Sequence, residues 1–240
     1  MTGLMTRRAV AVGATAAMLG GGVRAEGAEE RKVEGMVYHI SGGKYVTDYL
    51  GSQPGYKALD GDIDKVEIVD PTPDGGGLIT RRGLKSGRPM KPDHMPTKLQ
   101  RIGRGLDIFP LLDVDSYTSC LLVNQTFKDI LEELEPGVHQ FFPMEIFIKD
   151  EKVGDRYWLN ICNRLDTYHP TLTYPRNERG FFEPVKGEPF SVVFSVDAIG
   201  NHHAWHDKFG QGTYISDTFA ERLQAAVLSG LHFSEPKPQQ

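Results

Sequence analysis

Apolar residues recur at helical spacing in two places, each time between short apolar runs. In residues 121–143, LLVNQTFKDILEELEPGVHQFFP, the run Leu121–Val123 reads as a strand and Asn124 as a helix N-cap. Phe127, Ile130, Leu131 and Leu134 then fall at i, i+3, i+4 and i+7, one apolar helical face. Pro136-Gly137 stops the helix, because proline lacks an N–H and glycine takes positive φ, and Val138–Ile148 returns as a strand. Residues 213–236, TYISDTFAERLQAAVLSGLHFSEP, repeat that order. Thr213–Ile215 is the strand, Ser216 the cap, Phe219, Leu223, Ala226 and Val227 the stripe, Ser229-Gly230 the stop, and Leu231–Phe233 the closing strand. With a short gap before the glycine, Asn124 aligns with Ser216, Phe127 with Phe219, Leu131 with Leu223, Gly137-Val138-His139 with Gly230-Leu231-His232, and Pro143 with Pro236. The pattern predicts one strand–helix–strand unit written twice, an internal duplication.

Around these units the periodicity is that of strands. Met36–Ile40 opens the ordered part, residues 63–69 (IDKVEIV) alternate apolar and charged, and Phe190–Val196 is a further strand. Arg156–Cys162 pairs with the strand ending at Ile148 across the turn KDEKVGD. The predicted class is α+β, two strand–helix–strand units on a mixed or antiparallel sheet. From 71 to 98 the chain is dense in Gly, Pro and bases without either period, and reads as a solvated loop or a partner-binding arm. Its basic residues are Arg81, Arg82, Lys85, Arg88, Lys91 and Lys98. Residues 236–240 read as a frayed tail.

The first 25 residues change the picture of where the chain works. Arg7-Arg8 precedes an acid-free run from Ala9 to Val23, too short and too weakly apolar for a stop-transfer helix, and Val23-Arg24-Ala25 offers a cleavage site. This resembles a twin-arginine signal, although Ala9-Val10-Ala11 lacks the bulky pair that commonly follows. The expected organisation is a signal peptide over 1–25, a linker over 26–35, N-terminal strands and the long loop over 36–98, and the main α+β domain over 99–235. Without residues 1–25, 24 basic residues face 32 acidic ones, a net charge of −8, which argues against nucleic acid as partner and leaves no membrane span. In an exported protein Cys120 and Cys162 could form a bridge, or remain two buried thiols in strands.

Candidate chemistry is sparse. His202, His203 and His206 form the one cluster with metal-ligand spacing; on a helix, His202 and His206 would share a face, with Asp197, Asp207 or a remote residue completing the set. The turn former Ile199-Gly200-Asn201 stands against that helix. There is no nucleophile elbow, and Gly75-Gly76-Gly77 opens no helix and precedes no Lys-Ser/Thr. Cys120 beside His139 would be a poor nucleophile in an apolar strand. Asp107, Asp113 and Asp115 read as a solvated rim before an acid/base pair. Asn160, Asn163, Arg164 and Asp166, at the end of a hairpin strand, are placed to bond a neighbouring loop and fix its geometry. No catalytic or cofactor-binding set emerges.

Three stretches, VNQTFKDILEELEPGVHQFFPMEI, YWLNICNRLD and WHDKFGQGTYISDTFAERLQAAVLSGLHFSEP, resemble the Imm-eleven immunity family over roughly residues 99–235. The family's serine in the first unit is Asn124 here, and His206 stands where an arginine is common. The resemblance implies a protein without catalysis that binds and neutralises a cognate bacterial toxin, acting in the cell envelope if the signal segment is real. The partner surface would be the basic loop (Arg81, Arg82, Lys85, Arg88) or the acidic exterior. A different class of reading is an exported metal-binding protein or hydrolase built on His202, His203 and His206.

Overall fold

The computed structural model describes residues 35–43 and 54–239, apart from residues 78, 80, 104, 105, 107, 108, 179, 183, 188, 211, 235 and 236. The segment expected to be a signal peptide, most of the linker after it, and Asp107 lie outside the described residues.

The fold is mixed α+β and mostly sheet. The larger sheet is built from β2 (Gly55–Ala58), β3 (Lys98–Ile102), β4 (Val114–Tyr117), β5 (Cys120–Val123), β6 (Gln140–Ile148) and β7 (Glu151–Asn160). Its order is β2-β3-β6-β7-β5-β4, antiparallel except between β3 and β6. The smaller sheet combines β1 (Met36–Ser41) with β8 (Arg164–Leu165), β9 (Ala204–Asp207), β10 (Tyr214–Ser216), β11 (His232–Phe233) and β12 (Lys237–Pro238). Its order is β11-β1-β10-β9-β8, parallel between β8 and β9, with β12 also paired to β1. Helices α1 (Gln125–Leu134), α2 (Val196–Ile199) and α3 (Asp217–Ala225) complete the described elements, with a 3-10 turn over Ile63–Lys65.

Both predicted units form, and their paths match. In the first, β5 and β6 flank β7 and are antiparallel to it, joined by α1. In the second, β10 and β11 flank β1 and are antiparallel to it, joined by α3. Each is therefore a crossover split by one antiparallel strand. Asn124 Oδ1 accepts from Phe127 N at 2.9 Å, and Ser216 Oγ from Phe219 N at 3.2 Å, the two caps the sequence predicts. A shared path is a likeness of topology and does not establish duplication.

Strand alternation sorts the core into three layers of contact. Leu121, Val123 and Leu159 from the larger sheet meet Ile40, Ala204 and Ile215 from the smaller one around Phe127, Leu131, Phe219 and Leu223 of the helices. The Phe127 and Phe219 rings meet edge to face at 5.4 Å. The other face of the larger sheet presents Leu99, Leu122, Met144, Ile146 and Trp158, which pack on Val66, Ile68, Met90 and Met95. The outer face of the smaller sheet gathers Val37, Trp205 and Tyr214 with Tyr168, Phe194 and Ile199.

Four expectations are corrected. Residues 63–69 are not a strand: after the 3-10 turn only Ile68 pairs, with Met90. Residues 71–98 are not a free loop, since Met90 and Met95 enter the core over the larger sheet. Residues 190–196 give two isolated bridges, at Ser191 and Phe194, before α2 begins. The tail is held, because Lys237–Pro238 pairs with β1. In addition, Val227 leaves the predicted stripe: α3 ends at Ala225 and Val227 is 84% exposed.

Candidate functional site

The polar residues closing the β6–β7 hairpin do fix the neighbouring basic stretch. Asn160 Nδ2 donates to Arg88 O at 2.9 Å and to Gln140 Oε1 at 2.8 Å. Arg164 grips Asp74 with two bonds, Nε to Oδ2 at 2.8 Å and Nη2 to Oδ1 at 3.2 Å. It also donates to the carbonyls of Gly77 (2.6 Å) and Ser86 (3.2 Å). Arg164 is the main reason the Asp74 carboxyl sits well below the usual range. Gly87, at φ +73°, lies so close that a Cβ there would collide with Arg164 and the Asn163 carbonyl. Gly75-Gly76-Gly77 is part of this dock, Gly77 N donating to Lys208 O at 2.7 Å.

The basic cluster is thereby split. Arg88 pairs with Asp70 and Asp74, while Arg81 and Lys91 share Glu67. Arg82 and Lys85 are exposed and make no ion pair among the described residues. Of the four partner-binding candidates, Arg82 and Lys85 are thus available and Arg81 and Arg88 are engaged.

A second network surrounds Glu135, which closes α1 and is buried. Its Oε2 accepts from His139 Nε2 at 2.9 Å and from Ala204 N at 3.0 Å. Oε1 accepts from Asn163 Nδ2 at 2.8 Å and lies 3.3 Å from His202 Nδ1. Burial works against the charge, but these donors hold the carboxyl down at about 2. His139 Nδ1 accepts from Cys162 N at 3.2 Å, so Nε2 carries the proton given to Glu135. The arrangement joins α1, the end of β7 and the start of β9.

The histidine cluster lies on and before a strand, not on a helix, and its members face different partners. His202 meets Glu135, His203 Nδ1 lies 2.8 Å from Ser216 Oγ, and His206 Nδ1 donates to Gly212 O at 2.7 Å. Burial pushes the His206 ring down to about 4, leaving it neutral near pH 7. Among the described residues no three His, Cys, Asp or Glu side chains are grouped to hold a metal ion. Cys120 and Cys162 are both free, so the bridge is not formed, and burial pushes their thiols up to about 12 and about 11. It is Cys162, through its backbone, that stands beside His139. Asp113 bonds Ser229 and Asn124, Asp115 accepts from Tyr56 at 2.7 Å, and Asp166 is exposed.

A concave apolar surface lies elsewhere, on the outer face of the smaller sheet. A cleft of about 430 Å³ is lined by Val37 and His39 of β1, Tyr214 of β10, and Tyr168, Phe181, Phe182, Phe190, Val192, Phe209, Gly210, Ser234 and Lys237. The Tyr168 and Tyr214 hydroxyls meet at 2.8 Å on its floor. Beneath them buried Asp207 accepts from Thr167 N and Oγ1 and from Phe209 N and Gly210 N. Burial raises the Asp207 carboxyl's affinity for its proton, and these donors oppose that rise. His39 is lowered chiefly by burial, then by Lys85 and His232. Periodicity does not mark this cleft, because most of its aromatics come from aperiodic stretches; the one available signal is the density of rings around Arg176-Asn177 and Gly180-Phe181-Phe182.

In comparison with known proteins, residues 74–237 match the immunity protein family (Imm11), a span that includes the docked basic stretch from Asp74 onward. No curated protein matches the chain. With more than half of its length covered by that family, the chain belongs to the immunity protein family (Imm11).

Proposed function

We propose that this protein binds a cognate bacterial toxin in the cell envelope and neutralises it by covering its working surface, without catalysis. The observation that carries the reading is the family match over residues 74–237. Two features support it. The charged side chains that could do chemistry, Glu135, Arg164 and Asp207 among them, spend their bonding capacity on internal partners. The signal-like pattern of residues 1–25 supports an envelope location.

The test is co-expression of the chain with candidate toxins from the neighbouring reading frames, in a sensitive host. Full-length protein restores growth and co-purifies with the toxin, whereas protein lacking residues 1–25 fails against a toxin acting outside the cytoplasm. Replacing Arg7-Arg8 with two lysines leaves the protein in the cytoplasm if the twin-arginine route is used. A stoichiometric bound metal, or growth unchanged by the chain, would overturn the reading.

A further inference from the structure

We infer that the aromatic cleft on the smaller sheet is where the toxin docks, taking an aromatic side chain that is flanked by a carboxylate. This rests on the toxin-binding reading above and names the chemistry of the contact. The cleft's volume, about 430 Å³, lies within the range of roughly 300–1,000 Å³ seen for sites that enclose small groups. Its walls are Phe181, Phe182, Phe190, Phe209 and Val192, and Phe190 stays 47% exposed at the mouth. Aromatic residues and arginine are enriched at protein interfaces, and here an ordered arginine stands beside a pocket of rings.

The charge argument comes from Arg176. Its guanidinium lies 4.7 Å from the centre of the Phe209 ring and 5.3 Å from that of Phe182, two of the residues that line the cleft. Its Nε donates to Gly180 O at 2.9 Å, which fixes the plane of the group while the side chain remains exposed. Arg176 makes no ion pair among the described residues. None of the described residues lining the cleft is acidic, and Lys237 is one of them. A held cation stacked on two of the rings that line an apolar cleft complements a carboxylate attached to an apolar anchor.

Three blocked tripeptides test this by NMR titration of the isotope-labelled protein: acetyl-Asp-Trp-Asp-amide, acetyl-Lys-Trp-Lys-amide and acetyl-Asp-Ala-Asp-amide. The first is expected to shift resonances of Phe182, Phe190, Val192 and Phe209, with the lysine peptide about fivefold weaker and the alanine peptide silent. Arg176→Glu reverses the charge preference, and Phe190→Asp, at a half-exposed site, abolishes binding with the melting temperature retained. No shifts in the cleft, equal affinity for both charge types, or a preference surviving Arg176→Glu overturns the inference. Growth rescue separates it from the broader reading. If wild-type and Phe190→Asp proteins protect equally, the cleft assignment fails and toxin binding stands. If wild-type protein does not protect, the functional reading fails.

Discussion

The two crossover units start alike and end differently, and the ends are where the molecule is braced. Each begins with a short strand, a capped helix and a buried phenylalanine, Phe127 or Phe219, followed by a buried leucine, Leu131 or Leu223. The first helix ends on buried Glu135, bonded to Ala204 N at the start of β9, next to His203, which bonds the second unit's cap Ser216. The second helix is followed by Ser229, bonded through N and Oγ to Asp113, which also bonds the first unit's cap Asn124. Each unit's stop is thus tied to the segment supporting the other unit's start. The acid lies at the helix end in one case and on the receiving segment in the other. The comparison teaches that a shared local pattern can be joined crosswise by unlike chemistry.

The largest test of the comparison is its shared centre. Phe127→Ala and Phe219→Ala should each destabilise by about 3–5 kcal/mol in urea unfolding, because both rings are fully buried. The double variant should depart from the sum by roughly 0.5–1.5 kcal/mol, since the rings touch. Strict additivity would show that the two units do not depend on each other there.

Next comes the asymmetric brace. Glu135→Ala leaves His139, Asn163 and Ala204 N without their acceptor, and should lower stability by roughly 3 kcal/mol or more. Ser229→Ala, whose bond to Asp113 is exposed, should lower it by about 1 kcal/mol. Equal losses would remove the distinction between the buried and exposed stops.

The contrast between what was and was not legible follows the same line. Caps and the first glycine stop are set by residues within a few positions, so Asn124, Ser216 and Gly137 read correctly from sequence, whereas α3 ends at Ala225, before the expected Ser229-Gly230 stop. The brace was not legible: Glu135 and Ala204 are 69 positions apart, and nothing local marks their meeting. The docked stretch 71–98 escaped for a related reason. It adds single apolar residues to a sheet face already defined by other strands, while Arg164 satisfies its turns from 78 to 90 positions away. Arg164 was correctly expected to bond a loop, but the cleft needed aromatics from four separate segments.

Acid should sharpen the picture by loading the strand that receives the brace. His206 binds its proton only at about 4 when folded, against 6.5 when exposed. Between those values the unfolded chain holds more protons, so stability falls as pH drops from 6.5 to 4, by about 3 kcal/mol at most. Below pH 4.5 Glu135, held at about 2, continues the loss. His206→Asn, which can keep a donor for Gly212 O, should shrink the first limb of a stability-against-pH curve to the part that lowered His39 contributes, and leave the second. An unchanged first limb would mean that another group carries it.

The smallest effect concerns the one-residue difference between the units. Leu131 and Gly137 are six positions apart, Leu223 and Gly230 seven. The first unit makes its turn with Gly137 at φ +69°. The second uses Gly230 at φ +80° and also puts Val227 at φ +51°, a left-handed conformation that a β-branched side chain resists. Val227 is exposed, so no packing offsets the strain. Val227→Gly should therefore stabilise by about 1 kcal/mol, although the glycine also loosens the unfolded chain. Gly137→Val should destabilise by a similar amount or more, having nothing within 4 Å of its would-be Cβ and hence only backbone strain to register. Opposite signs for these two substitutions would locate the difference between the units in a single inserted residue. If Val227→Gly is neutral or harmful, the extra left-handed turn is tolerated without strain and the difference lies in the braces alone.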